Sequence, residues 1–473
     1  MLVLVIESST SSAKALLYDS EAGVVGSSQR VYGEAVLRTG MTDTEKVFLL
    51  SMNVAEEIAR GREVAAIALC GTWHGLAVCN EDLIPVSPTI SWDFTGTSDI
   101  CSQIRKNESA TDWMYRTTGC MPHNTYPRHA LTWLRAQGMD LHGKKIVTQG
   151  GYNFFRLTGE YLESCCSQSG NGLVNLNALD YDEGILYYLG INRGQLGGLA
   201  SYKDARPLSE EGANALGLHA GIPVVPAHAD GALNQVGNFA NRGDRMTMSI
   251  GTSGAIRVST TKPVLPKGRE LWCYYGVDKW VSGAAIAGAC NCVDWFRNMQ
   301  KSGTTFEELE REQSPESDTP VFLPFIVGER CPGWNDGRRG GFVGLDASCT
   351  QADLYKGLQM EILFNLYQCY SVLCAENGRP EQVIVSGGIS HSRRWLQMAA
   401  DIYEQDILVA RHPDASSMGA AALALFAAGE LENINDFKAE YDSAEKVFCD
   451  EAHFAYYRRQ YERYREAYEE VRL

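Results

Sequence analysis

The sequence predicts an α/β protein built from two duplicated lobes that face each other across a cleft. Three observations indicate this fold. Strand-like runs alternate with amphipathic helices, a strand–turn–strand–turn–strand unit occurs twice, and the 473 residues exceed the usual size of one domain. A chain of this length has room for two or three domains with complete hydrophobic cores.

The first copy of the repeated unit opens the chain. Apolar runs predict strands at residues 2–6, 13–18 and 24–32, and a Ser/Thr-rich turn at 7–12 joins the first two. The second copy has strands at 245–250, 255–259 and 271–275, with the turn Gly-Thr-Ser-Gly at 251–254. Two ordinary antiparallel openings would also explain the likeness, but the shared Thr and Ser content of the turns favours duplication.

The lobes are expected to meet near residues 239–244, where Asn-Arg-Gly-Asp predicts a turn. This gives an N-terminal lobe at 1–243 and a C-terminal lobe at 244–473. Apolar residues at three- and four-residue spacing predict helices at 43–60, 128–137, 292–300, 351–376, 393–403 and 417–428. Strands are predicted between them at 64–69, 224–226, 382–385 and 407–409. A charged C-terminal helix from residue 451 carries an aromatic stripe that is expected to pack on its own lobe.

Composition excludes several classes of partner. A net charge of -16 argues against nucleic acid, which requires clustered Lys and Arg. No apolar run approaches the roughly 20 residues that span a bilayer, so neither a signal peptide nor a membrane anchor is expected. The 14 cysteines lack zinc-ligand spacing and predict free thiols in a cytoplasmic protein.

Asp230 is the strongest candidate for catalysis. It stands between an apolar run and a small-residue turn, and the Gly251-to-Gly254 turn follows about twenty residues later. Phosphoryl transfer to a hydroxyl needs a base and a phosphate cradle, and Gly/Ser/Thr turns form such cradles with backbone amides. The chain has no P-loop and no protein-kinase motif. The alternative is a plain Asp-Gly turn in which Asp230 bonds its own backbone.

Several segments resemble the FGGY carbohydrate kinases, which have the actin-like (ribonuclease H-like) ATPase fold. The most specific segments are VFLPFIVGERCPGWN at 321–335 and RGGFVGL at 339–345, supported by YRTTGC at 115–120, RLTGEY at 156–161 and SGGISHS at 386–392. Within the family the sequence looks closest to gluconate kinases and next to xylulose kinases. The resemblance spans almost the whole chain.

The resemblance implies ATP and Mg²⁺ as cofactors and a small carbohydrate as the acceptor. It implies that Asp230 is the catalytic base and, with Glu7, a metal ligand. The residues that it implies for ATP binding are Thr10, Ser11, Ser12, Lys14, Gly251, Thr252, Ser253, Gly387, Gly388 and Ser392. Lys14 also has the simpler interpretation of an exposed strand lysine.

For the acceptor, the resemblance implies that His74 donates a hydrogen bond to a substrate hydroxyl. Trp73 and Trp92 would form apolar walls for the carbon chain, and Asp93 and Asp230 would complete the substrate site. A histidine after a strand is otherwise a structural residue.

Departures from the family pattern in the first turn and in the substrate segment bear on the metal and on the acceptor. Glu7 and Ser9 stand where most members have Asp and Gly, which predicts altered metal geometry and, if positive φ is needed, about 1 to 2 kcal/mol of strain at Ser9. Phe94 and Gly96 replace a carboxylate and a guanidinium of the substrate segment.

The expected function is ATP-dependent phosphorylation of a sugar-acid hydroxyl, with gluconate as the example. D-xylulose or another ketose or polyol is the alternative acceptor. A non-catalytic sugar-binding regulator would explain the departures at Glu7 and Gly96, but the intact Asp230 argues against it. An actin-like chaperone or filament protein would need neither Asp230 nor the 324–345 segment. A homodimer is compatible with the sequence, which leaves the oligomeric state open.

Overall fold

A computed structural model describes residues 1–300, 303–314, 316–410, 414–437 and 445–470. Two large β-sheets form its framework, one from each half of the chain, and helices pack against both. The predicted α/β architecture of two similar lobes is therefore confirmed.

The first sheet has six strands, and its central strands are buried on both faces. In chain order they are β1 (Leu2–Ser8), β2 (Ser12–Asp19), β3 (Gly23–Val31), β4 (Ala66–Gly71), β5 (Arg206–Pro207) and β6 (Pro223–Ala229). Their order across the sheet is β5-β6-β4-β1-β2-β3. Strands β1 and β4 are almost continuously apolar because elements cover both of their faces.

The second sheet has seven strands among the described residues. They are β7 (Arg245–Ile250), β8 (Gly254–Thr260), β9 (Trp272–Tyr275), β10 (Trp280–Ile286), β11 (Gln382–Gly387), β12 (Ile407–Val409) and β13 (Glu445–Val447). Their order across the sheet is β9-β10-β8-β7-β11-β12-β13.

Five strands of each sheet follow the same plan. The sets β3-β2-β1-β4-β6 and β10-β8-β7-β11-β12 both have antiparallel strands on one side of a central strand and parallel strands on the other. The predicted third strand of the second unit, 271–275, is β9 at the sheet edge. Strand β10 takes the third position instead, because the Gly276 amide bonds the Lys279 carbonyl and turns the chain back.

The structure confirms the six predicted helices within a few residues and adds others. The α-helices are α1 (Thr44–Ala59), α2 (Ser98–Arg105), α3 (Glu108–Thr118), α4 (Arg128–Ala136), α5 (Gln149–Thr158), α6 (Cys165–Gly170), α7 (Glu183–Leu189), α8 (Glu210–Leu216), α9 (Asp230–Gly237), α10 (Cys290–Met299), α11 (Phe306–Glu312), α12 (Gln351–Asn377), α13 (Arg393–Ile402), α14 (Ala415–Ala427) and α15 (Phe454–Glu470). Side-chain caps fix several starts, as at Asp43, whose carboxylate accepts from the Lys46 amide before α1.

Additional small sheets of two or three short strands lie outside the two large sheets. They join Leu37–Arg38, Met41–Thr42 and Thr89–Ile90 in one sheet, Ala77–Cys79 with Lys145–Val147, Leu162–Ser164 with Gly198–Ala200, Val174–Asn175 with Asp180–Tyr181, and Val321–Leu323 with Gly341–Val343.

Helix α14 comes from the second half of the chain, yet it packs against α9 and against β1, β4 and β6 of the first sheet. Glycines allow this close crossing. A Cβ atom at Gly237 would lie 2.0 Å from the Ala415 carbonyl oxygen, and one at Gly419 would lie 2.0 Å from the Leu233 carbonyl oxygen. The backbones of α9 and α14 therefore touch where the two halves of the chain meet.

The predicted lobe boundary at 243/244 falls in the connection between α9 and β7. In this connection Phe239 has a φ of 55° and stacks on Phe437 at a centroid distance of 6.2 Å. Because α14 packs across both halves, the boundary remains a prediction.

The C-terminal helix α15 packs on its own lobe, as its aromatic stripe predicts. Tyr464 is fully buried, and the ring of Phe364 lies near both Tyr461 and Tyr464. Residue 471 of the stripe lies outside the described residues. Among the described helices, none combines the length and apolar character needed to cross a membrane.

The substitution Gly419→Ala is expected to lower the free energy of unfolding by about 1 to 3 kcal/mol, because the new methyl group forces α14 away from α9. Scanning calorimetry measures the resulting fall in melting temperature. Gly33→Ala is the matched control, since no atom lies within 4 Å of a Cβ there. Equal melting temperatures for both variants would show that α9 and α14 can move apart without loss of stability.

Candidate active site

Asp230 begins helix α9 directly after the buried strand β6. Its Oδ1 accepts hydrogen bonds from the Gly231 amide at 2.7 Å and from the Trp73 amide at 3.4 Å. The Asp-Gly alternative is right that Asp230 bonds the adjacent backbone, but the aspartate starts a helix, so the plain turn is wrong. The positive end of the helix dipole favours a carboxylate at this position.

The surroundings of Asp230 make its carboxylate a better proton acceptor. Burial raises its pKa above the ordinary value, while the charge of Arg257 and the two amide hydrogen bonds oppose that rise. No ion pair joins Asp230 to a basic side chain in the described parts of the chain. Its Oδ2 is the oxygen left to receive a proton.

Glu7 lies near the end of β1 and faces the second lobe. Its Oε2 accepts a hydrogen bond from Ser417 Oγ at 2.7 Å, at the start of α14. Burial raises the Glu7 pKa, the Lys14 charge and the Ser417 hydrogen bond oppose this, and the Asp230 charge adds to the rise. The two carboxylates therefore interact electrostatically.

Lys14 pairs directly with Glu7 across the β1–β2 ladder, and its Nζ lies 2.9 Å from Asp414 Oδ1. This ion pair links β2 to the residue before α14. The lysine is half-buried, so the interpretation as an exposed strand lysine is wrong. Its assignment to ATP remains a prediction.

The first predicted phosphate turn is closed by its own hydroxyl groups. Ser9 Oγ donates to the Ser12 carbonyl at 2.8 Å, and the Ser12 amide donates back to Ser9 Oγ at 3.1 Å. Ser9 does not have positive φ, so the predicted strain is absent. Thr10 Oγ1 accepts from Trp92 Nε1 at 3.1 Å, which ties the turn to the predicted substrate wall, and the Ser11 carbonyl accepts from the Tyr32 amide.

The second predicted phosphate turn lies against the start of α10. The Cys290 amide donates to the Gly251 carbonyl at 2.8 Å, and the Asn291 amide donates to the Thr252 carbonyl at 3.2 Å. Thr252 is exposed and Ser253 is half-buried. The turn therefore has a fixed backbone and keeps the Thr252 side chain open to a ligand.

The residues predicted beside adenosine follow strand β11. Gly387 has a φ of 91°, and a Cβ atom there would lie 2.5 Å from the Ile250 carbonyl oxygen, so glycine is required. A Cβ at Gly388 would lie 2.7 Å from Cys290 Sγ. Ser392 caps α13 and donates to Glu310 at 2.7 Å, so its hydroxyl is already engaged.

Trp73 forms a buried wall beside Asp230. A Cβ atom on either Gly170 or Gly231 would lie 2.3 Å from its indole ring, so the ring fits between two glycines. Its Nε1 donates to the Cys166 carbonyl at 3.0 Å. The indole is held in one orientation.

His74 is buried and has a φ of 63°. Burial, aided by the nearby Arg330 charge, lowers its pKa to about 3, so the ring is neutral. Its Nδ1 lies 2.6 Å from the Gly170 carbonyl, which can only accept, so Nδ1 carries the proton. Nε2 is then an acceptor, and the predicted donation from His74 to a substrate hydroxyl must be reversed.

The residues that follow Trp92 and Asp93 form an aromatic contact. Ser91 Oγ donates to Asp93 Oδ1 at 2.5 Å. Phe94 covers Gly96, where a Cβ would lie 2.3 Å from its ring, and packs edge-on against Trp133. The polar pair expected from the family pattern is replaced by an aromatic contact.

Sequence reasoning assigned no role to two arginines of the site. Arg257 on β8 lies beside Gly231, and a Cβ on that glycine would be 3.0 Å from Arg257 Nε. The Arg330 guanidinium lies 5.7 Å from the centre of the Trp92 ring. An arginine within the otherwise apolar run of β8 was the available signal.

The carboxylates fit a divalent cation that ATP phosphates help to hold. The described residues contain no cluster of three His, Cys, Asp or Glu side chains able to bind a metal by themselves. Mg²⁺ keeps several waters and usually takes one or two carboxylates plus phosphate oxygens. Glu7 and Asp230 match that need, since a nearby cation would offset the cost of burying their charges.

Two matching sheets joined at a helix crossing form a two-lobed fold of the actin-like ATPase kind, and the family models make the protein a phosphotransferase. Residues 2–237 match the N-terminal domain and residues 246–428 the C-terminal domain of the FGGY family of carbohydrate kinases. The chain belongs to this family, whose members use ATP with Mg²⁺.

Individual relatives are similar over most of their length. A gluconokinase of Bacillus subtilis (strain 168) is 26% identical over 456 residues, which cover 92% of this chain and 89% of that protein. A xylulose kinase of Staphylococcus xylosus is 23% identical over 437 residues, covering 89% and 90%. The crystal structure of a gluconate kinase from Lactobacillus acidophilus superposes with a TM-score of 0.92 at 24% identity and covers 99% of this chain and 98% of that one, which shows the shared fold.

The substitution Asp230→Asn is expected to raise the melting temperature near neutral pH. Burial raises the pKa of this carboxyl in the folded protein. Protonated Asp230 therefore stabilises the wild type at low pH, and this stabilisation is lost as pH rises above the ordinary value of 3.8, whereas asparagine stays neutral throughout. The gain should therefore shrink as pH falls toward about 4. Calorimetry across this range tests it, with the exposed Asp82→Asn as control. A pH-independent difference would contradict the assignment.

Proposed function

We propose that this protein transfers the γ-phosphoryl group of ATP to a hydroxyl of a small sugar acid such as gluconate, with Asp230 as the catalytic base. The position of Asp230 supports this function best. One carboxylate oxygen is anchored by two backbone amides, the other is uncommitted, and burial raises the pKa.

Asp230 Oδ2 accepts the proton of the acceptor hydroxyl as that oxygen attacks phosphorus. A base must lie within hydrogen-bond reach of the proton and be deprotonated at the working pH. The two amides fix Oδ1 and thereby aim Oδ2, so orientation is set before the acceptor binds.

The two Gly/Ser/Thr turns are assigned to the phosphates of ATP. Backbone amides in such turns bind anions, and the hydroxyl groups of Thr10 and Thr252 add donors. Gly387 and Gly388 lie at the end of β11 and are assigned to the adenosine, which would contact their backbone. Glu7 and Asp230 would hold Mg²⁺, which neutralises phosphate charge when bound.

His74 is assigned to the sugar substrate, from which it would accept a hydrogen bond. Its neutral ring donates from Nδ1 to Gly170 and offers Nε2 to a substrate hydroxyl. Trp73 and Trp92 supply apolar surface for the carbon chain. This arrangement suits a polyhydroxylated molecule with an apolar face.

Gluconate is preferred as the acceptor because the curated relatives include gluconokinases. Xylulose kinases are also among them, and D-xylulose is the alternative acceptor. A non-catalytic regulator is disfavoured because Asp230 keeps the geometry of a base.

The test is ADP release from Mg-ATP with gluconate, xylulose, ribulose, fuculose and glycerol as acceptors. Wild-type protein should turn over gluconate fastest, and Asp230→Ala should lower kcat by about 100-fold or more, the range associated with a lost general base. The matched control is Asp82→Ala, an exposed aspartate of the same lobe. Sugar binding without turnover on any acceptor would favour the regulator.

A further inference from the structure

Two guanidinium groups lie in the region of Asp230 and His74. The charge of Arg257 acts on Asp230, and the charges of Arg330 and Arg257 both act on His74. Arg257 is contributed by β8, and Arg330 by the segment that follows the short strand Val321–Leu323. Distant parts of the second lobe thus place Arg257 beside the proposed base and Arg330 near His74 and Trp92.

Most donors of these two arginines have no protein acceptor. A guanidinium carries five N–H donors. In the described parts of the chain, Arg257 makes one hydrogen bond, from Nη1 to Ser249 Oγ at 3.3 Å, and Arg330 has the Trp92 ring as its contact. The Nε atoms of both side chains are buried without a partner. Buried donors of this kind are costly unless a ligand satisfies them.

The arginines are also not neutralised by the carboxylates of the site. No ion pair joins either arginine to an acidic side chain among the described residues. Burial lowers the pKa of Arg257, the Asp230 charge opposes this, and the Arg330 charge adds to it. Neither guanidinium is paired directly with a carboxylate among the described residues, and the buried Nε donors of both lack a partner, which indicates a site for an anion.

We propose that Arg257, with Arg330 as the second cation, binds the carboxylate of the acceptor and selects sugar acids over neutral polyols and ketoses. The proposal rests on the function proposed above. The planar fork of arginine matches a carboxylate through two parallel hydrogen bonds. Anchoring the carboxylate leaves the hydroxyl groups of the same molecule for Asp230 and His74.

The ATP phosphates are the competing anion. Arg257 follows the Gly251-to-Ser253 turn by only a few residues, so the sequence alone would allow either role. Its contact with Gly231 places it on the acceptor side, next to the base. Arg330 lies over Trp92, which is also assigned to the acceptor.

The experiment compares gluconate with glucitol, in which CH₂OH replaces the carboxylate. Arg257→Met should raise KM for gluconate about 10- to 100-fold, the worth of a charged hydrogen bond, with KM for ATP unchanged. The preference in kcat/KM for gluconate over glucitol should fall by the same factor. Arg330→Met should shift both quantities in the same direction.

Arg257→Lys keeps the charge but loses the planar fork, so its KM should lie between those of wild type and Arg257→Met. This variant also guards against misfolding of Arg257→Met, which melting temperatures would reveal. Titration calorimetry of gluconate binding gives a second readout. Arg297→Met is the matched control, because that arginine is exposed and pairs with Asp294 outside the site.

Three results would overturn the proposal. If Arg257→Met lowers turnover of both acceptors equally and raises KM for ATP, the arginine serves the phosphates. If wild type accepts gluconate and neither arginine variant changes its KM, the carboxylate site is wrong while the proposed function stands. If wild type phosphorylates ketoses or polyols and no sugar acid, the proposed acceptor and the carboxylate site both fail.

Discussion

The crossing of helices α9 and α14 is the constraint on which the active site depends. Helix α9 begins with Asp230, and α14 begins next to Asp414 and includes Ser417. Because glycines let the two backbones touch, Ser417 reaches Glu7, and Asp414 reaches Lys14 across the lobes. Asp230, the proposed base, and Glu7 belong to the first lobe, yet the second lobe contributes to their surroundings. A shift of α14 would move all of these contacts together.

Separation of opposite charges is the second feature of the site. An ion pair between Asp230 and Arg257 would hold the carboxylate pKa low and would use up the guanidinium donors. The structure instead gives Asp230 two backbone amides and leaves Arg257 with a single long hydrogen bond. Burial then acts on both groups in the direction of neutrality, raising one pKa and lowering the other. Buried groups in this state are costly to the isolated protein, and the proposed ligands would offset that cost with their own charges.

The sequence predicted the parts of the fold that depend on local pattern. Apolar runs located the central strands, and small-residue patterns located the two turns that follow β1 and β7 and the start of α9 at Asp230. It did not predict the third strand of the second sheet, because the choice between the two arms of the Gly276 hairpin depends on pairing with the distant strand β8, which takes β10. The sequence also did not predict the tautomer of His74 or the ion-pair partner of Lys14, since Gly170 and Asp414 lie far from them in the chain. Side-chain chemistry set by distant partners leaves no local signal.

The departures from the family pattern at Ser9 and Glu7 have physical compensation. Ser9 stands in place of glycine without positive φ, and its hydroxyl closes the turn on Ser12. Glu7 is one methylene longer than the usual aspartate, and its Oε2 is engaged by Ser417 from the opposite lobe. The longer side chain therefore gains a fixed partner. Since Ser417 lies on α14, the position of this carboxylate follows the same helix crossing that positions Asp230, and the departure changes how the carboxylate is held without removing it from the site.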